Sequence, residues 1–242
     1  MHIIKLSATD STNDYLKQLH KEKVLKDYTV VTTLLQRNGK GQMGTQWSSE
    51  SGKNLTFSVL VKNVLVAQNT IFDFNVAVAV SILQILQSLE VPNLTIKWPN
   101  DILAENKKVG GILIENSLKA DGSIDSIIGI GLNVNQEDFA GLPLASSLKN
   151  VTNKNFDLDE LLLQLVHQLQ RNLSELSSQK VVFWNVYSTH LFKINTPMPF
   201  EDELKHRFMG IIKSVTNDGK LAVMLEDDSI RYFGLKELKM LY

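Results

Sequence analysis

Residues Gln36 to Lys53, QRNGKGQMGTQWSSESGK, form a long polar, glycine-bearing stretch between two β-branched runs, Tyr28–Leu35 and Asn54–Lys62, each of which reads as a strand. An ordered loop of this length inside a domain is usually functional. Gly39, Gly41 and Gly44 satisfy the G-x-G-x-x-G spacing of a dinucleotide-binding turn. That turn needs a helix opening at the third glycine and an acidic residue roughly 20 positions later. Here the glycines run instead into turn-like TQWSSESGKN and then into the alternating NLTFSVLVK. A phosphate-loop reading fails as well, because Leu34 stands where its first glycine belongs and Gly41 where Ser or Thr should follow Lys40. What remains is strand, loop, strand. Its glycines let backbone N–H groups approach an anion, and Arg37, Lys40 and Lys53 add charge; the plain alternative is a solvated hairpin loop.

The chain of 242 residues is long enough to bury a core, as one large domain or one large and one small. A net charge of −1 with no basic arm gives no field for nucleic acid, so no DNA partner is expected. With no cysteine there is no disulfide, thiolate metal site or cysteine nucleophile. The histidines, at 2, 20, 167, 190 and 206, have no zinc-binding spacing. The longest apolar stretch, Ile71 to Leu89, is interrupted by Asp73, Asn75, Ser81, Gln84 and Gln87, which makes it a core helix and not a membrane span. No signal peptide precedes Met1-His-Ile-Ile-Lys, so the expected location is the cytoplasm.

His2–Leu6 reads as a strand, and Asp10-Ser11-Thr12-Asn13 as more hydrogen-bonding side chains than the cap of a Tyr15–His20 helix requires. The surplus suits a polar ligand, although on local grounds alone a plain helix cap is the first reading. Asn69 to about Leu89 reads as a helix lying on a sheet, Leu94–Trp98 as a strand, and Pro99-Asn100-Asp101 as the turn that stops it. Asn100 and Asp101 at a strand end suit Mg²⁺ or ribose oxygens, although Pro-Asn-Asp is also an ordinary turn. Ile112–Leu118 and Ile124–Asn135 read as a hairpin. Gly110 and Gly111 on one strand and Gly129 and Gly131 on the other weaken it by about 0.5–1 kcal/mol each, and side chains deleted from one face leave either a ligand slot or room for a closely packed helix. The rest reads as an irregular stretch Gln136–Asn155, helices Asp157–Ser177 and Val181–Leu191, and then short strands FMGIIKSV, KLAVMLED and SIRYFGL in a small appended β-barrel.

Taken together these motifs resemble the biotin protein ligases: DSTN at 10 to 13, Gln36 with the loop GKGQMG-x-x-W at 39 to 47, KWPND at 97 to 101, KVGGILIE at 108 to 115, and GIGLNVN at 129 to 135. The resemblance covers nearly the whole chain, in the family's order. It implies an α+β fold, a mixed sheet with helices like that of class II aminoacyl-tRNA synthetases over residues 1–193, and an SH3-like C-terminal barrel over 194–242. It implies ATP-dependent activation of biotin to biotinyl-5'-AMP and transfer to a lysine of a biotin carboxyl carrier domain. The N-terminal DNA-binding domain of many members has no room before the first strand.

By the same resemblance Lys108 and Lys40 are catalytic cations. Ser11, Thr12, Asn13, Gln36, Gly39, Lys40, Lys108, Gly110 and Gly111 hold biotin. Lys40, Gly41, Gln42, Met43, Trp47, Asn100, Asp101, Lys108 and Asn133 hold ATP, with Asp101 beside its Mg²⁺. Where many members carry the loop as GRGRxGR, this chain has Lys40, Gln42 and Thr45, which removes forked donors from the nucleotide grip. A lipoate ligase is the nearest rival, and the KWPND turn and terminal barrel point away from it. The resemblance leaves open whether the protein is a monomer or a homodimer.

Overall fold

Two long apolar strands, β5 (Leu55–Val64) and β9 (Ile124–Leu132), pair antiparallel at the centre of a seven-stranded sheet. The computed structural model describes residues 1–64 and 71–242. Outward from β5 lie β2 (Thr29–Gln36) and the edge strand β1 (His2–Thr9), which runs parallel to β2; every other pair in the sheet is antiparallel. Outward from β9 lie β8 (Lys107–Leu118), β7 (Asp101–Ala104) and β6 (Leu94–Lys97).

Because successive strand residues point to opposite faces, neighbours in sequence enter different cores. Val30, Val59 and Ile128 join the main core under helices α2 (Ile71–Ser88), α4 (Leu158–Ser174) and α5 (Leu176–Thr189). Val31, Leu60 and Ile127 instead meet Leu16 of α1 (Thr12–Glu22) on the other face. α2 is long and apolar enough to cross a membrane by composition, but most of its residues are buried in this core. Its expected start at Asn69 lies outside the described residues.

On the α1 face the glycines of β9 and β8 carry no side chains, and Asn13 and Trp47 pack into the space this leaves. Gly129 and Gly131 follow Ile127 at two-residue intervals, and Gly111 pairs with Gly131 across the strands. Gly110 points the other way, where a Cβ would meet Leu132 and Ile102 of the core. The slot read from these glycines is therefore one-sided, and Gly110 belongs to its back.

The glycine loop contains a two-residue hairpin, β3 (Gly39–Lys40) with β4 (Gln46–Trp47), around a short 3₁₀ turn at Gln42–Gly44. β7 follows directly after the Pro99 turn, and α3 (Leu148–Thr152), capped by Ser147, interrupts the stretch read as irregular. The break between α4 and α5 is the single residue Glu175, shorter than the Ser177-to-Val181 gap anticipated from sequence.

The C-terminal strands β10 (Pro197–Asp202), β11 (Arg207–Val215), β12 (Leu221–Met224), β13 (Ile230–Phe233) and β14 (Leu238–Met240) form a five-stranded antiparallel sheet in the order β13-β12-β11-β10-β14. Its apolar face, with Phe200, Ile212, Val223 and Phe233, continues the main core. The β11–β12 turn reaches the first sheet: Trp98 Nε1 donates to Gly219 O at 2.9 Å, and Phe72 packs where Gly219 lacks a side chain. Near the other end, the Tyr242 ring meets Phe192 at 4.9 Å between centroids.

Candidate functional site

The bare glycine face, the N-terminus of α1, the glycine loop and the edge of the C-terminal sheet enclose a cavity of about 690 Å³. Ser11 caps α1 by accepting from Asp14 N at 3.3 Å, and this leaves the next two side chains pointing onto the sheet. Thr12 donates to Gln36 Oε1 through both its backbone N–H (2.9 Å) and its hydroxyl (3.2 Å). Ser58, in the middle of β5, places its hydroxyl 2.7 Å from Thr12 Oγ1 and 2.6 Å from Asn13 Oδ1. Asn13 Nδ2 donates to Leu113 O at 3.3 Å and to Glu115 Oε2 at 3.0 Å, and Lys17 pairs with the other Glu115 oxygen at 3.1 Å. All four of Thr12, Asn13, Gln36 and Ser58 are buried. They present a polar pocket to a small head group, because desolvated donors and acceptors of this kind demand matched partners.

Trp47 lies over the glycines. A Cβ on Gly131 would stand 2.5 Å from Trp47 Cε2, and one on Gly111 would touch Trp47 Cζ3 at 3.4 Å. Its Nε1 is buried and has no hydrogen-bond partner among the described residues. A buried indole N–H without an acceptor is costly, and a ligand acceptor would satisfy it.

Beside this ring, Lys108 Nζ sits 5.7 Å from the Trp47 centroid and 2.7 Å from Asp101 Oδ1. Asp101 Oδ2 lies 3.4 Å from Lys97 Nζ, so one carboxylate stands between two ammonium groups. The β6–β7 hairpin creates this arrangement, pairing Lys97 opposite Asp101. Asn100 locks the turn onto β8: its Nδ2 donates to Ile112 O at 2.7 Å, and its carbonyl accepts from Ile112 N at 3.0 Å. At the loop, Lys40 Nζ pairs with Asp14 Oδ2 at 2.6 Å. That hydrogen bond raises the Lys40 pKa above its ordinary value against a small opposing effect of burial.

Of the residues singled out from sequence, Ser11, Thr12, Asn13, Gln36, Lys40, Gly41, Gln42, Trp47, Asn100, Asp101, Lys108 and Gly111 line this one cavity. Gly39 lines the neighbouring opening between the loop and β8. Asn133 stands back from the cavity, buried, with Nδ2 donating to Ser146 O at 3.0 Å. The side chain of Met43 lies outside the described residues. Asp101, read as a neighbour of Mg²⁺, has both oxygens facing lysines, and among the described residues no group of three or more His, Cys, Asp or Glu side chains could cage a metal. Sequence reasoning passed over Ser58, Glu115 and Lys97 as site residues, although Lys97 opens the KWPND motif and Ser58 is the one hydroxyl at the centre of FSVLV. It had no means of placing residues of the second sheet, such as Glu201 and Lys239, on the cavity wall.

Among characterised proteins, the "Bifunctional ligase/repressor BirA" of Bacillus spizizenii is 31% identical over 160 residues, covering 64% of this chain and 49% of that protein. The "Biotin--[acetyl-CoA-carboxylase] ligase" of Mycobacterium tuberculosis is 24% identical over 221 residues, covering 90% of this chain and 81% of that protein. This chain spans about half the length of the BirA relatives from Bacillus that it matches. The solved "Biotin protein ligase from Aquifex aeolicus in complex with biotin and ATP" has the same fold, with a TM-score of 0.81 at 24% identity over 99% of this chain and 98% of that one. Residues 6–135, more than half of the sequence, match the model of the biotin/lipoate A/B protein ligase family, and the chain belongs to that family.

Proposed function

We propose that the protein joins biotin to the α-phosphate of MgATP, giving biotinyl-5'-AMP and pyrophosphate, and then transfers the biotinyl group to a lysine of a biotin carboxyl carrier domain of biotin-dependent carboxylases. The observation that carries this reading is Lys108, held by Asp101 at 2.7 Å at the mouth of a glycine slot roofed by Trp47.

A carboxylate attacking a phosphate brings two anions together. At ~4 Å and an effective dielectric of about 20, each pair of unit charges repels by roughly 4 kcal/mol. Lys108 Nζ lies where it can touch both, and Lys40 adds a second cation from the loop. The carboxylate oxygen attacks α-phosphorus, the bond to the bridging oxygen breaks, and the electron pair leaves with pyrophosphate. No enzyme nucleophile and no proton transfer are needed, so the catalysis consists of positioning and charge stabilisation. Asp101 is displaced from Lys108 as the substrates take over its ammonium. In the second step the carrier's neutral amine attacks the acyl carbon, the bond from that carbon to the phosphate oxygen breaks, AMP leaves with the electron pair, and the proton shed by the nitrogen passes to the departing phosphate or to water.

The ureido ring of biotin fits the Thr12, Asn13, Gln36 and Ser58 cluster, and its apolar chain takes the place over Gly111 and Gly131 that the Trp47 ring fills in this structure, so the loop must lift that ring as biotin enters. Trp47 Nε1 finds an acceptor on the bound adenylate, and the loop around residues 37–53 keeps water from the mixed anhydride. Magnesium would come with the nucleotide on its phosphates; among the described residues no group of three or more His, Cys, Asp or Glu side chains could hold it.

In this reading residues 1–193 form the ligase domain and residues 194–242 an SH3-like barrel that closes the nucleotide side. The protein works in the cytoplasm, and the β1 edge is available for pairing in a homodimer. Mass spectrometry of a carrier domain incubated with the protein, MgATP and biotin tests the reading. One added biotinyl mass is expected, with nearly none for Lys108→Ala; equal labelling by both, or labelling with lipoate in place of biotin, refutes it.

A further inference from the structure

Asn13 and Lys17 sit one turn apart on α1, and both reach across to Glu115 on β8. Asn13 Nδ2 donates to Glu115 Oε2 at 3.0 Å and Lys17 Nζ to Oε1 at 3.1 Å. Glu115 is 29% exposed and lines the neighbouring opening beside the glycine loop, not the main cavity. Its pairing with Lys17 contributes little by itself. Its hold on Asn13 does more. The two ends of a side-chain amide are alike in size, so the groups around them decide which way the amide points. Two acceptors, Glu115 Oε2 and Leu113 O at 3.3 Å, claim Nδ2, and Oδ1 is thereby turned to Ser58. An amide oxygen can only accept, so the single proton of Ser58 goes into the 2.6 Å contact with Asn13. The 2.7 Å contact between Ser58 and Thr12 then takes its proton from the Thr12 hydroxyl, which shares it with Gln36 Oε1 at 3.2 Å. The protons of Thr12, Ser58 and Asn13 thus run in one direction, toward the charge on Glu115. The two hydroxyl oxygens are left as acceptors, and Gln36 keeps Nε2 as a donor because its Oε1 is held by the Thr12 N–H at 2.9 Å. A cyclic urea, with two N–H donors and one carbonyl acceptor, is the complement of that arrangement.

We infer that Glu115, acting through Asn13, sets the hydrogen-bond polarity of the head-group pocket and so selects a ring that donates to its hydroxyls. The inference rests on the proposed ligase reading, which puts the ureido ring of biotin against this cluster. Glu115 is a positioning residue: it holds Asn13 and lies outside the cavity that the ligand fills. Lys17 makes the role testable. In Glu115→Gln the Lys17 ammonium, which can only donate, claims the new amide oxygen and turns the new NH₂ group toward Asn13. Asn13 then turns over to accept from it, and its own NH₂ faces Ser58. The Ser58 proton swings to Thr12, and Thr12 presents a proton where the ureido N–H needs an acceptor.

The test is calorimetric titration of biotin, and separately of MgATP, into wild type, Glu115→Gln, Lys17→Met and the double variant. Glu115→Gln should weaken biotin about tenfold or more, as expected for one mismatched hydrogen bond in a buried pocket, and leave the MgATP Kd within about twofold. Lys17→Met alone should stay within about threefold of wild type, because Glu115 still holds Asn13. The double variant should recover to within about threefold of wild type: without Lys17 the new amide is free to offer its oxygen to Asn13, and Leu113 O favours the same turn. A plain structural tie between α1 and β8 predicts the opposite order. In that case Lys17→Met weakens biotin as much as Glu115→Gln does, or the double variant is no better than Glu115→Gln, and either result overturns the assignment. Binding is read without turnover. A wild type that shows this pattern yet makes no biotinyl-AMP keeps the assignment and discards the ligase reading, whereas full biotinylation with an unchanged biotin Kd in Glu115→Gln does the reverse.

Discussion

Gly129→Ala perturbs the site at a single atom. A Cβ at this position would lie 2.9 Å from Asn13 Cγ and 3.1 Å from Nδ2, and closer still to Oδ1. The Asn13 side chain cannot simply swing away, because it is buried and held by Ser58 at 2.6 Å, Glu115 at 3.0 Å and Leu113 O at 3.3 Å. Displacing it forfeits these three bonds at about 0.5–1.5 kcal/mol each, a loss of about 3 kcal/mol. For a chain of this size that is roughly a 6–12 °C drop in melting temperature. If Asn13 also meets the biotin head group, affinity should fall on the order of a hundredfold, since each tenfold step is about 1.4 kcal/mol. Scanning calorimetry and biotin titration read the two effects. The decisive comparison is made in an Asn13→Ala background, where the added methyl has nothing to displace and its cost should shrink below about 1 kcal/mol. An equal cost in both backgrounds would show that the clash lies elsewhere and that Asn13 is not the constrained partner.

Lys40→Ala should leave the melting temperature almost unchanged, because an exposed pair such as Lys40–Asp14 contributes at most about 1 kcal/mol, while single-turnover adenylation slows markedly. Asp125 offers a test in acid. Burial pushes its carboxyl up, but Lys119, the Asn63 N–H and His20 outweigh this and bring its pKa from 3.8 to about 2. A carboxyl depressed in the folded state stabilises above its unfolded pKa and loses that contribution as pH falls through the folded one. Urea titrations between pH 5 and 2 should therefore show roughly 2 kcal/mol lost by wild type that Asp125→Asn does not lose in that window. Trp98→Phe removes the donor to Gly219 O and should lower the melting temperature by roughly 2–4 °C, for a loss of about 1 kcal/mol.

The central strands could be read from sequence because β2, β5 and β9 are β-branched runs bounded by turn residues, and a period of two fixes their faces. The same period separates Gly111 from Gly110, yet a Gly-Gly pair gives no hint of which member faces the core. β7 follows Pro-Asn without a break and has only four residues, so turn chemistry masked it. β10 carries Pro197 and Pro199, residues that argue against a strand, and β14 is three residues long. At the site, the polar cluster at the start of α1 was visible as surplus chemistry, and the loop tryptophan only through the family resemblance. The Ser58 contact to Asn13 joins residues 45 apart, and the cavity wall from the second sheet joins elements farther apart still; neither is encoded in local spacing.

The two ends of the cavity are built from different parts of the chain: the end proposed for the vitamin from α1, β8 and β9, and the opposite end partly from the short C-terminal strands and their loops. On the proposed reading, substitutions in those loops should retune nucleotide turnover while the recognition of biotin stays intact. In a library randomised only at Lys205, Lys236 and Lys239, variants should diverge in their response to ATP and converge in their choice of vitamin.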